Sequence, residues 1–192
     1  LGHEEIIKLL LAKCYTRNYR RAKDWPNTKE PRYNYQSAFN LENNSTNYER
    51  SLGYALIEAA KKGRKDLVKL FYDKGAHPNI AAAKVSKKGY LYSPDKTTAL
   101  IEAVKKNNPT MVKLLLDIGA DVNVEIRNTE FSGYSTRTTA LIEAARKGHI
   151  GMIKLLLDNG ANRYTADKYG CRAFDYAKDK GYNDICKLLR LG

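Results

Sequence analysis

The sequence predicts an all-α solenoid, a row of stacked helix-turn-helix units joined by lengthened β-hairpins. Three observations lead there. First, Thr138 to Asn162, TTALIEAARKGHIGMIKLLLDNGAN, reads as two short amphipathic helices separated by a turn and closed by glycine. Second, nearly the same text recurs at Tyr54 to Asn79 and Thr98 to Asn123, with a weaker copy from Arg172 to Leu191. Third, Gly2, Gly63, Asn107, Gly148 and Gly181 mark one turn position at spacings of 61, 44, 41 and 33 residues. A helix pair this short cannot bury its apolar faces alone; copies lying side by side can.

Within the central unit the first helix sets Leu141, Ala144 and Ala145 on one face at i, i+3 and i+4. Lys147 and Gly148 close it. The second helix places Met152, Ile153, Leu156 and Leu157 on one face and stops at Gly160, where a left-handed C′ residue costs least as glycine. In the preceding unit Asn108 is positioned to cap the second helix, with Pro109 at its first turn.

These motifs resemble the ankyrin-repeat family over essentially the whole chain apart from insertions. The family pattern of TPLH, a small-residue pair, a Gly-His turn, LL, GA and a later Asn is matched by TALI, AA or AV, Gly148-His149, LLLD, GA and Asn. The shortest spacing equals the ankyrin period of about 33 residues, and the others exceed it by about 28, 11 and 8. Alanine replaces the proline at Ala55, Ala99, Ala140 and Ala173. Isoleucine replaces the histidine at Ile57, Ile101 and Ile142, and aspartate does so at Asp175. Apolar packing between repeats is the expected role of those isoleucines.

The resemblance implies four full repeats plus a leading half. The expected division is a half repeat at 1–18, a basic and aromatic insertion at 19–49, repeats at 50–79, 93–123, 134–163 and 167–192, and hairpin insertions at 80–92 and 124–133. Pro26 and Pro31 argue against a long helix in the first insertion. The hairpin insertions carry Tyr90 and Tyr92 beside a turn at Lys87-Lys88-Gly89, and Phe131 and Tyr134 near the tip of the other. Arg172, Asp175, Tyr176 and Lys178 give the last repeat a more polar face, as suits the end of a stack. Because Leu1 opens inside a repeat, the chain is expected to be part of a longer protein.

The composition, 43% hydrophobic and 29% charged, is that of an ordinary water-exposed protein, and no apolar run approaches the length of a membrane span. Cys14, Cys171 and Cys186 form no CxxC and no metal-ligand spacing, which points to reduced thiols and an intracellular, cytoplasmic location. His3 and His149 sit in the Gly-His turn and His77 in a later turn; no HExxH and no phosphate-cradling loop occurs. Neither a catalytic role, a metal nor a cofactor is expected.

The net charge of +13 suits an anionic partner. On the resemblance, partner contacts fall at the hairpin tips and at the concave end of each first helix. The expected contact residues are therefore Lys61, Lys62, Lys105, Lys106, Arg146 and Lys147, with Tyr90, Tyr92, Phe131 and Tyr134 as aromatic anchors. Glu58, Glu102 and Glu143 stand four residues before Lys62, Lys106 and Lys147, in the favourable helical order. This leaves Lys61, Lys105 and Arg146 as the cations expected to be free for a partner.

The expected function is thus protein binding, to a partner with an acidic surface. Two other readings stand beside it: single-stranded nucleic acid held by the 19–49 insertion, where aromatics such as Trp25 and Tyr33 are interleaved with cations such as Arg20 and Lys29, and a targeting module for an enzyme elsewhere in a longer chain. Abundant lysine, asparagine, tyrosine and isoleucine point to an AT-rich genome. TALIEA-type repeats resemble those of intracellular bacteria and some protists, so a host-directed effector acting in host cytoplasm is a further expectation.

Overall fold

The computed structural model describes residues 45–83, 96–129 and 135–190. Four helix pairs follow one another among these residues: α1 (Ser45–Lys61) with α2 (Lys65–Asp73), α3 (Ala99–Lys105) with α4 (Pro109–Asp117), α5 (Ala140–Lys147) with α6 (Ile150–Asp158), and α7 (Ala173–Asp179) with α8 (Asn183–Arg190). Between the pairs lie two antiparallel hairpins. In the first, β1 (Ala82–Ala83) pairs with β2 (Lys96–Thr97). In the second, β3 (Ile126–Thr129) pairs with β4 (Ser135–Thr138), in the register Ile126 to Thr138. The returning strands thus run beyond the 80–92 and 124–133 limits expected from sequence. The expected leading half repeat, Cys14, and the tip residues Tyr90, Tyr92, Phe131 and Tyr134 lie outside the described residues.

Each first helix packs against the next first helix as well as against its own partner, α1 on α3, α3 on α5 and α5 on α7. The core is therefore a ribbon. Leu56, Ile57, Leu100, Ile101, Leu141 and Ile142 are all buried in it, at equivalent positions of successive pairs. Isoleucine at the place of the family's histidine does pack apolar surface, as expected. The second helices add Phe71, Met111, Leu115, Met152 and Leu156, also buried.

Capping comes from other residues. The Thr98 and Thr139 hydroxyls accept the amides of Ile101 and Ile142, each at 3.3 Å. Asn108 accepts from the Met111 amide at 3.0 Å, with Pro109 next in sequence. In α7, Asp175 reaches back to accept the Arg172 amide at 2.8 Å. Two of the asparagines that end repeats also tie their repeat to the next. Asn79 accepts from the Asp121 amide at 2.7 Å and donates to the Gly119 carbonyl at 3.3 Å. Asn123 does the same with Asn162 and Gly160, at 2.7 and 3.0 Å. These bonds join turns about one repeat apart, so they fix the pitch of the stack.

The first pair departs from the others. Where the next two copies begin with Thr-Thr, this one has Gly53-Tyr54, and the helix does not start there: α1 already runs from Ser45. The segment 19–49, expected as an insertion without long helix, therefore ends in helix. The threonine pair that would start a helix afresh is missing, so the backbone can pass through. Gly53 is buried, and a Cβ built on it would stand 2.2 Å from Cγ2 of Ile80 and 3.1 Å from its Cβ. In an exposed helix, glycine-to-alanine gains about 0.5–1 kcal/mol. Here Gly53→Ala is expected to destabilise by about 1–3 kcal/mol through overpacking, measured by urea denaturation. Ile80→Ala in the same chain should return part of the loss.

Candidate partner-binding rim

Glutamate opens the polar side of the first three of these helices, at Glu58, Glu102 and Glu143. Glu102 and Glu143 are 5% and 8% exposed, at the seam between neighbouring first helices. Buried carboxylates need partners, and the sequence supplies them on both sides. The hydroxyl of the residue before the N-cap donates to each: Thr97 to Glu102 at 2.9 Å and Thr138 to Glu143 at 3.1 Å. From the other side come cations three residues on. Lys61 meets Glu58 at 3.1 Å. Lys105 lies 3.9 Å from Glu102 and 3.9 Å from Glu143 of the following pair. Arg146 lies 3.5 Å from Glu143 and 4.0 Å from Asp167.

This corrects the expected pairing. Lys61, Lys105 and Arg146 were to be free, and Lys62, Lys106 and Lys147 were to be held at i, i+4. The structure pairs the first set at i, i+3. The cause is the helix length. Lys62 and Lys106 directly follow the last residues of α1 and α3, and Lys147 is the last residue of α5, so each stands at the frayed end of its helix. Lys62, Lys106 and Lys147 are exposed, and no ion pair joins them to the described residues. Lys180, past the end of α7, continues the exposed row.

At the last pair a tyrosine, Tyr176, takes the glutamate's place. Its hydroxyl accepts from the Arg146 guanidinium at 2.7 Å, and the same guanidinium sits 4.3 Å over its ring. The hydroxyl in turn donates a short hydrogen bond to Asp167. Asp167 also accepts the amides of Tyr169 and Cys171, at 2.8 and 2.9 Å. Burial alone would raise the Asp167 pKa. The Tyr176 hydroxyl, the two amides and the Arg146 charge outweigh it and hold the carboxyl below its ordinary value. Burial, then the Asp167 hydrogen bond, push the Tyr176 phenol up.

A carboxyl depressed in the folded state stabilises the fold above its ordinary pKa of about 4. That contribution disappears as pH falls through the depressed value. Tyr176→Phe removes the principal donor, so it is expected to cost about 1–2 kcal/mol at pH 7. The cost should shrink steadily below about pH 4. Urea denaturation of both proteins from neutral to acid pH checks this; a penalty that stays constant with pH would contradict it.

Sequence reasoning missed two exposed aromatics, Tyr164 and Tyr169, at 61% and 69% exposure on the loop before α7. The signal was a pair of tyrosines in the short connection between repeats, where the stack has no use for their rings. His149 precedes α6 and makes no side-chain cap, while His77 accepts the Asn79 amide at 3.2 Å. Among the described residues no group of three or more His, Cys, Asp or Glu side chains is placed to hold a metal. Cys171 and Cys186 are free thiols, and no helix there is long and apolar enough to cross a membrane.

Helix pairs in a row, with hairpins and bridging asparagines between them, define a repeat solenoid with a row of lysines along one rim. The family model for ankyrin repeats (3 copies) matches residues 1–126 and again 126–192. The chain belongs to the ankyrin-repeat family. Ankyrin repeats are generally protein–protein interaction modules and typically not catalytic. A search of curated proteins gave no match.

Proposed function

We propose that this chain binds an acidic segment of a partner protein along the rim formed by the C-terminal ends of its first helices. The observation that carries the reading is the exposed set Lys62, Lys106 and Lys147, one from each of three successive pairs and without an ion-pair partner among the described residues. First helices packed side by side stand about 8–10 Å apart, so the three ammonium groups form a regular row of one sign. Such a row attracts an acidic chain and speeds its encounter. Lys61, Lys105 and Arg146 belong to the same rim but are engaged in holding the glutamates. They act in recognition mainly by setting the row's spacing. Tyr90, Tyr92, Phe131 and Tyr134 are the proposed aromatic anchors from the hairpins.

The reading takes the chain as four full repeats behind a leading half, with 19–49 as an added basic segment. It places the protein in cytoplasm, host cytoplasm if it serves as a host-directed effector.

The test is the triple variant Lys62→Glu, Lys106→Glu, Lys147→Glu. Binding of a fluorescent Asp/Glu-rich peptide, measured by anisotropy at several salt concentrations, should weaken by about 10-fold or more and lose most of its salt dependence. Far-UV circular dichroism should be unchanged. Equal affinity in an intact variant would remove the rim from the account. A labelled single-stranded oligonucleotide, run alongside, should bind more weakly than the peptide; tight binding with a steep salt slope would move the function to nucleic acid.

A further inference from the structure

The last helix pair carries a second cationic feature, away from the lysine row and independent of it. A cleft of about 500 Å³ is lined by Arg163, Arg172 and Arg190, with Tyr164, Phe174 and Leu189 supplying apolar surface. The one carboxylate in its lining is Asp175, which already accepts the Arg172 amide.

The arginines differ from those elsewhere in the stack. Arg64, Arg137 and Arg146 each have a carboxylate within ion-pair distance: Asp66 at 2.6 Å, Glu125 at 3.3 Å and Glu143 at 3.5 Å. Arg163, Arg172 and Arg190 have none among the described residues. Two of them are instead set against rings, Arg190 at 4.8 Å over Phe174 and Arg172 at 6.0 Å over Tyr164. Stacking holds a guanidinium plane without using its N–H groups, which leaves the in-plane fork for an oxyanion. Arg163 adds the sharpest observation. Its Nη1 is shielded from water and has no hydrogen-bond acceptor among the described residues. A buried donor on a cation is not left empty without cost, and a side-chain rotation that brought it into the cleft would let an anion complete it.

The repeat alignment shows where these cations come from. Arg190 occupies the position of Leu157 and Leu116, and Arg172 that of Thr139 and Thr98. Phe174 stands where Leu141 and Leu100 are buried, but is itself only half-buried. Solvating an exposed face calls for polar groups of either sign. Three arginines converging on an aromatic floor with a single, engaged carboxylate are a more specific arrangement. We propose that this cleft binds an oxyanion on an apolar or aromatic stem, the phosphate or carboxylate end of a ligand group, with the stem on Phe174 and Leu189.

Phenyl phosphate, phenylacetate and uncharged benzyl alcohol are the probes, titrated into the ¹⁵N-labelled chain. Backbone amides and arginine Nε–Hε signals are followed by NMR. One or both anions should give saturable shifts confined to residues around the cleft, and benzyl alcohol should not. The anion that binds more tightly identifies the source, phosphate or carboxylate. Arg163→Gln and Arg190→Gln should each weaken binding by about 10-fold. The unchanged spectrum of the remaining repeats reports that each variant is folded, and Arg190→Gln carries the test if Arg163→Gln is not. Non-saturating shifts, shifts spread equally over Arg64, Arg137 and Arg146, or saturable binding unaltered in a folded variant would overturn the proposal. So would benzyl alcohol binding as tightly as the anions.

Discussion

Replacing Arg146 with glutamate is expected to open the junction between the last two helix pairs, at a cost of about 3–5 kcal/mol. The guanidinium serves three acceptors: Glu143, Asp167 and the Tyr176 hydroxyl. The Glu143 and Asp167 side chains are only 10% and 2% exposed, whereas that of Arg146 is 38% exposed. Water can screen the arginine, but it reaches the carboxylates poorly. Removing the cation therefore leaves Glu143 with Lys105 alone and Asp167 with hydrogen bonds but no ion pair among the described residues, and a glutamate adds a third charge of the same sign. Hydrogen exchange should show α5 and α7 losing protection first, because a stack opens at its weakest interface. The neighbouring Lys147→Glu supplies the control. Its side chain is exposed, without a carboxylate partner among the described residues, and its reversal should change stability by about 0.5 kcal/mol or less. If the two reversals cost the same, the arginine is not structural and the division of the rim into supporting and free cations is wrong.

Leu156→Ala is expected to cost about 3–5 kcal/mol, and Leu157→Ala about 1 kcal/mol. Both leucines read as members of one apolar face. In the structure Leu156 is 0% exposed and is grouped in the core with Met152 and Ile153, while Leu157 is only half-buried. Truncating Leu156 leaves a void in the middle of the ribbon, where neighbours on both sides are held by their own repeats and cannot collapse inward. Truncating Leu157 opens space that water already borders. Urea denaturation followed by circular dichroism measures the difference. Because a repeat stack need not unfold as one unit, hydrogen exchange should accompany it. Near-equal losses would mean the second helix is rotated from the arrangement described.

Much of this architecture follows from repetition in the sequence. The text TALIEA, recurring in phase with LLLD, GA and a closing asparagine, specifies helix pairs and their stacking. A helix that buries its face only against a copy of itself leaves no other compact solution. The caps at Thr98, Thr139 and Asn108 are local as well, since a side chain three residues from an open amide needs no distant partner. The same holds for the turn at Gly148, whose φ of +72° favours glycine.

The rim was legible as a set of cations but not in its division of labour. From sequence, glutamate followed four residues later by lysine looked like the bonded pair. That rule describes an isolated helix in water. Here the helices end at or before that lysine, and the glutamates lie in a seam shared with the next repeat. Lys105 reaches Glu143, and Arg146 reaches Asp167 and Tyr176, across separations that no local rule covers. The arginine cleft is of the same kind, drawn from the loop before α7, from α7 and from α8. So is the close contact of Gly53 with Ile80. Sequence alone determined the repeating unit, because its causes lie within one turn of helix. Which charges are free, and which are committed to holding neighbours together, was decided only when the repeats were stacked, because pairing of buried charges depends on the partner brought to them across the interface.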